Sequence, residues 1–132
     1  MKRINPTIIL VRPQLPENIG MTARAMDNFG LSKLYLVNPR DEWPNKKAEK
    51  SAKHAESIIK NVQVFSNLEQ ATSKFNLVIA TTNRQRFLTK KKFNNFSKLI
   101  KKFNNLKKIA ILFGPENSGL SNEDLRLANV IY

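Results

Sequence analysis

The chain has 132 residues, 23 of them basic and 10 acidic, for a formal net charge of +13; hydrophobic residues make up 41%. That length holds one domain with a real core, and with no Cys and His54 as the single His, disulfides, a thiol nucleophile, a thiolate metal centre, a His dyad and a multi-His metal site are all excluded. The charge favours a polyanionic partner, while the lack of any membrane-length apolar run or signal-type start predicts a cytoplasmic protein with no membrane partner.

In chain order, Thr7 to Val11 is an apolar, β-branched run with the length of a buried strand. Pro13 and Pro16 end it and stiffen the loop that follows. Asn18 is placed to cap a helix that runs to Gly30, with Gly30 as its C-terminal stop. Met21, Ala25 and Phe29 share one face of this helix and are expected in the core. Gly20 costs about 1 kcal/mol relative to Ala inside a helix, so a close approach of backbone or ligand is expected there. Arg24, near the helix start and off the Met21/Ala25/Phe29 face, is suited to holding a phosphate beside free loop N–H groups.

Leu34 to Val37 is the second strand, and it completes a βαβ unit whose first loop lies where open α/β sheets place ligands. Asn38 to Pro44 is a loop carrying Trp43. A helix follows from Asn45 to about Ile59, with an Ala48/Ala52/Ala55/Ile59 stripe; His54 falls on its surface. Val62 to Phe65 is a short strand, Asn67 caps a helix from Leu68 to Ser73, and Leu77 to Ala80 is a strand running into a polar loop of Thr81, Thr82 and Asn83.

No acidic residue occurs between Glu69 and Glu116. Within that gap Thr89 to Lys108 has the spacing of a basic amphipathic helix, and Arg84, Arg86, Lys90, Lys91 and Lys92 are candidate RNA contacts. Ile109 to Phe113 is the next strand, followed by the tight polar loop Gly114-Pro115-Glu116-Asn117-Ser118-Gly119-Leu120. Ser121 caps the next helix, and Asp124 completes a weakened capping box. Val130 to Tyr132 begins one more strand. Alternating strands and helices predict an α/β fold with a mainly parallel sheet and flanking helices. No dinucleotide or P-loop glycine fingerprint is present.

Two of these loops carry a resemblance. Asn18-Ile19-Gly20, Arg24 and Phe29-Gly30 resemble the first motif of the SpoU-type 2′-O-ribose RNA methyltransferases of the SPOUT superfamily. The stretch from Phe113 to Leu120 resembles their second motif. The LYLVNP stretch and the Thr81-to-Arg86 loop are similar to the TrmJ branch, which methylates tRNA. The resemblance covers Ile8 to Tyr132. It implies S-adenosylmethionine as methyl donor, with Thr81, Thr82, Asn83 and Gly114 as donor contacts. It implies Arg24 as the catalytic arginine, with Asn18 and Glu116 as polar residues shaping the site. It also implies tRNA as substrate (nucleotide 32 of the anticodon loop), a homodimer with the site at its interface, no metal, and a trefoil knot. The third motif of the family falls just beyond Tyr132, so residues 1–132 are expected to be a single domain truncated at its C-terminus and lacking the knot-forming segment.

Guanidinium groups are poor bases, so Arg24 is expected to grip a phosphate and polarise the hydroxyl. The proton acceptor stays open among Arg24, Glu116 and the substrate's own phosphate. Two rivals accompany this expectation: a basic RNA-binding module or inactive fragment without methyl transfer, and a small-molecule-binding α/β domain that leaves the charge unexplained.

Overall fold

The computed structural model describes residues 5–82, 98 and 108–132. The elements are β1 (Thr7–Val11), α1 (Pro16–Asn28), β2 (Leu34–Val37), α2 (Lys46–Ala52), α3 (Glu56–Lys60), β3 (Gln63–Phe65), α4 (Leu68–Thr72), β4 (Leu77–Ala80), β5 (Ile109–Phe113), α5 (Asn122–Arg126) and β6 (Val130–Ile131). The strands form one sheet in the order β3-β2-β1-β5-β4-β6, and every pairing is parallel. This is the α/β fold expected from the sequence.

Side chains of a strand alternate between faces, and the sheet uses both. Ile8, Leu36, Ile79 and Ile111 face α1, α2 and α3, packing with Ile19, Ala23, Met26, Ala52 and Ile58. Ile9, Val11, Val78 and Leu112 face the other way, toward Leu68, Leu120 and Leu125. Parallel strands covered on both faces read as near-continuous apolar runs, which is why β1, β4 and β5 are legible in the sequence. Full burial of such a side chain is worth about 1.5–3 kcal/mol.

From β1 the chain builds outward through β2 and β3. It then crosses to the other side of β1 to lay down β4, β5 and β6. The order reverses between β1 and β5, and the loops leaving the carboxyl ends of these two strands face each other across that switch point. β6 extends the sheet beside β4: the Tyr132 N–H donates to the Ala80 carbonyl at 2.7 Å and the Thr82 N–H to the Tyr132 carbonyl at 3.0 Å.

Three expectations are corrected here. Helix α1 begins at Pro16, with Leu15 at the N-cap position and no side-chain cap. Pro at the first helical position needs no N–H partner, so Asn18 lies inside the first turn and caps nothing. Second, the buried face of α1 is Pro16, Ile19, Gly20, Ala23 and Met26. Met21 is 49% exposed and Phe29 is 74% exposed, and Ala25 is exposed as well. The two stripes have similar apolar content, and α2, packed against Gly20, selects the one that carries the glycine. Third, the helix expected from Asn45 to Ile59 is two helices, broken at Lys53, whose φ is 31°. No Gly or Pro marks the break. It keeps Ala48 and Ala52 in the core while swinging Ala55, Ile58 and Ile59 onto the same face of the sheet.

Other local expectations hold. The Asn45 side chain accepts the Lys47 N–H at 2.9 Å, and the Asn67 side chain accepts the Gln70 N–H at 2.9 Å. Ser121 and Asp124 form both halves of a capping box. His54 is exposed. Beyond these expectations, Trp43 is half-buried against the α1–α3 core. The basic helix expected over 89–108 lies outside the described residues apart from Lys98, which is exposed and helical, and Lys108, which is exposed and outside any helix.

Candidate active site at the sheet switch point

The loop after β5 closes on itself. The Gly119 N–H donates to the Pro115 carbonyl at 2.8 Å, and Gly119 has φ of 70°, a conformation that favours glycine. A Cβ at Gly114 would overlap the backbone of Gly119 and Leu120, so only glycine lets the two ends of the loop meet. Leu120 and Leu125 are buried and anchor the far end in the core. A Cβ at Gly119 meets nothing within 4 Å, so open space lies beside the loop.

Two sets of polar contacts tie this loop and α5 to the loop after β1. The Glu116 carboxylate accepts the Gln14 N–H at 3.1 Å and the Leu15 N–H at 2.9 Å. It thereby supplies, from 101 residues away, an acceptor at the entrance of α1, where the helix dipole favours negative charge. Arg12 and Asp124 form the second tie, a two-pronged pair with Nη1 3.1 Å from Oδ1 and Nη2 2.7 Å from Oδ2. Asp124 is 6% exposed. Burial pushes its carboxyl upward, but the Arg12 guanidinium and the Ser121 N–H and hydroxyl more than offset this, holding it below the ordinary carboxylate range.

A carboxyl depressed in the folded state adds stability that is present above its unfolded pKa, about 4, and is lost as pH falls through the folded value. The melting temperature of the wild-type chain is therefore expected to fall with acidification below about pH 4. Asp124→Asn flattens that acid limb in pH-dependent thermal denaturation; an identical limb in the variant would count against the assignment.

The sequence-predicted residues separate into groups. Glu116, Gly114 and Thr81 are brought to the carboxyl ends of β4 and β5. The Thr81 hydroxyl and N–H both donate to the Leu112 carbonyl, at 2.8 and 3.1 Å, so its side chain extends the ladder. Thr82 is half-buried beside Tyr132. Asn18, in the first turn of α1, has its carbonyl bonded by the Thr22 hydroxyl at 2.8 Å. Arg24 is the ninth residue of α1, about 12 Å along the axis from Pro16 at 1.5 Å per residue, and not at the helix start. It is exposed on the same solvent half as Met21 and Ala25, and no bond joins it to either loop among the described residues. Asn83, Arg84, Arg86, Lys90, Lys91 and Lys92 lie outside the described residues. Sequence reasoning missed Arg12 and the second role of Asp124. The only local signal was an Arg between a strand and a proline; its partner is 112 residues away.

A parallel α/β sheet with two motif loops cross-tied at its switch point defines the class: an open α/β protein whose candidate ligand site is the crevice between the loops after β1 and β5. The particular family follows from comparison. The SpoU rRNA Methylase family model matches residues 5–132, and the chain belongs to that family. The chain is 39% identical over 124 residues to the tRNA (cytidine/uridine-2′-O-)-methyltransferase TrmJ of Sodalis glossinidius, covering 92% of this chain and 48% of that protein. The crystal structure of TrmJ from Z. mobilis ZM4 superposes with a TM-score of 0.89 at 44% identity, covering 96% of this chain and 56% of that one. The SpoU methyltransferase AviRb from Streptomyces viridochromogenes, crystallised in complex with the cofactor AdoMet, shares the fold at a TM-score of 0.67 and 17% identity, with 99% of this chain and 48% of that one covered. The chain spans about half the length of the curated relatives it matches.

Proposed function

We propose that this chain carries the catalytic domain of a tRNA 2′-O-ribose methyltransferase that uses S-adenosylmethionine and modifies nucleotide 32 of the anticodon loop. The observation that carries the reading is the loop 114–120, folded and tied to the entrance of α1 at the switch point, in a chain 39% identical to a tRNA cytidine/uridine 2′-O-methyltransferase. The residues fit a donor: half-buried Thr81, Thr82 and Gly114 sit at strand ends, and open space lies beside Gly119.

When bound, the donor supplies an electrophilic methyl on a sulfonium. Held there, it would pass that methyl to the ribose oxygen and leave as the neutral thioether, while the hydroxyl proton would go to one of the acceptors left open above: Arg24, Glu116 or the substrate's own phosphate. The chain's part is to align the two reactants, which is worth about 7–11 kcal/mol at best. Arg24 is assigned to grip the substrate phosphate next to the reacting hydroxyl, and Thr81, Thr82, Asn83 and Gly114 to line the donor side. Asn18 shapes the loop between them. Arg84, Arg86, Lys90, Lys91 and Lys92 are assigned to the RNA backbone, a role consistent with the net charge of +13. A homodimer is part of the reading. Leu15 at 43% exposed, with Met21 and Phe29, leaves apolar surface on the α1 side that a second copy would cover, bringing Arg24 toward a partner's donor loop.

The test is transfer of labelled methyl from S-adenosylmethionine to tRNA. Wild type is expected to label the ribose of nucleotide 32, and Arg24→Ala to lower turnover at least about 100-fold with donor affinity retained. Arg24→Lys is expected to recover little, since it loses the planar fork. Salt-sensitive RNA binding with no donor uptake would instead establish the RNA-binding module.

A further inference from the structure

Arg12 occupies a conformation that disfavours it. Its φ is 49°, the left-handed region where Gly, Asn or Asp are the usual residues. On backbone grounds alone a smaller residue belongs there, so the side chain is the reason for an arginine. That side chain reaches across the switch point to a buried carboxylate with a second task. Asp124 Oδ2 also accepts the Ser121 N–H at 2.8 Å, while the Asp124 N–H donates to Ser121 Oγ at 3.1 Å. Helix α5 is a single short turn, and its start is held by this capping box. The loop 114–120 thus hangs between β5 and a helix start whose carboxylate is gripped by Arg12. Arg12 is itself fixed at the end of β1, its N–H donating to the Val37 carbonyl at 2.7 Å.

We propose that Arg12 is a positioning residue of the donor site: through Asp124 it holds the loop 114–120 in the shape that receives S-adenosylmethionine. The inference rests on the methyltransferase reading above. Arg12 acts by geometry alone. The two-pronged contact fixes both distance and orientation between the loops after β1 and β5, which one hydrogen bond would not. Glu116 ties the middle of the loop and Arg12 its end, so losing Arg12 leaves that end held by the burial of Leu120 and Leu125 alone, with no polar tie to set its orientation toward the loop after β1. Loops displaced by about 1 Å cost on the order of 100-fold in reactions that depend on alignment.

The experiment is calorimetric titration of S-adenosylmethionine into the full-length protein as wild type, Arg12→Ala, Arg12→Lys, Asp124→Asn and the Arg12→Ala/Asp124→Asn double variant. Ile58→Val, remote from the site, serves as the control for lost stability. Arg12→Ala and Asp124→Asn are expected to weaken donor binding by about 10- to 100-fold, and the double variant to be no worse than the weaker single. Arg12→Lys keeps the charge without the fork and is expected to recover less than half of the loss; it also carries the test if Arg12→Ala does not fold. Ile58→Val is expected to bind as wild type. Wild-type binding with Arg12 and Asp124 variants unchanged, or a loss shared equally by Ile58→Val, overturns the inference alone. No binding by wild type overturns the methyltransferase reading and this inference with it.

Discussion

Gly20→Ala is expected to destabilise the chain by about 2 kcal/mol net and to lower the melting temperature by about 5–10 °C. In an isolated helix the same change would stabilise by about 1 kcal/mol, so the sign of the result is diagnostic. In the folded chain a methyl at Gly20 overlaps the Ser51 hydroxyl and the Ala48 carbonyl, and lies 2.8 Å from the Ala52 nitrogen. Two of those three are backbone atoms, and backbone cannot rotate away. The Ser51 hydroxyl also donates to the Glu17 carbonyl at 2.9 Å, a bond that bridges α2 to α1. The methyl therefore forces the helices apart, and that separation also loosens Ile19 and Ala23 from the core. A melting temperature equal to or above wild type would mean that α1 and α2 do not approach this closely.

Glu116→Gln is expected to reduce methyl transfer by about 10- to 100-fold while costing only about 1 kcal/mol of stability. The carboxylate accepts two successive amides at the entrance of α1. A glutamine has one acceptor oxygen, and its NH2 group would face those donors. Arg24 rides on the same helix, so a shift of the α1 start is carried along a rigid rod to the exposed arginine. The pH–rate profile separates this from proton abstraction. With Glu116 as an anchor, the profile of Glu116→Gln keeps the wild-type shape at a lower level. Were Glu116 the proton acceptor, the acid limb would vanish with it.

The same contacts explain why some of the site could be read along the chain and some could not. The loop from Gly114 to Leu120 is legible because its features are local: a strand end, two glycines with distinct steric duties and a capping serine. Arg12 is not legible along the chain because the residue that gives it meaning is 112 positions away. The distance of Arg24 from the helix start is illegible for a related reason. Asn18 is a good capping residue by type, and assigning it to the cap shortens the helix and brings Arg24 toward its start. Pro16 begins the helix earlier, and the acceptor at its entrance arrives from Glu116 instead.

By itself the sequence determined the alternation of strands and helices, the parallel sheet, the side-chain caps at Asn45, Asn67 and Ser121, and the two motif loops of the SpoU family. These rest on short-range physics: apolar runs matched to a strand, acceptors within three residues of an N–H, glycine where no side chain fits. Tertiary structure decided which face of α1 is buried, where the chain breaks between α2 and α3, and how the loops after β1 and β5 are tied. Met21, Ala25 and Phe29 are as apolar as the stripe that won, and only the approach of α2 at Gly20 distinguishes the two. Packing and cross-loop ion pairs are properties of pairs of residues distant in sequence, and they come into being only when the sheet brings those residues together.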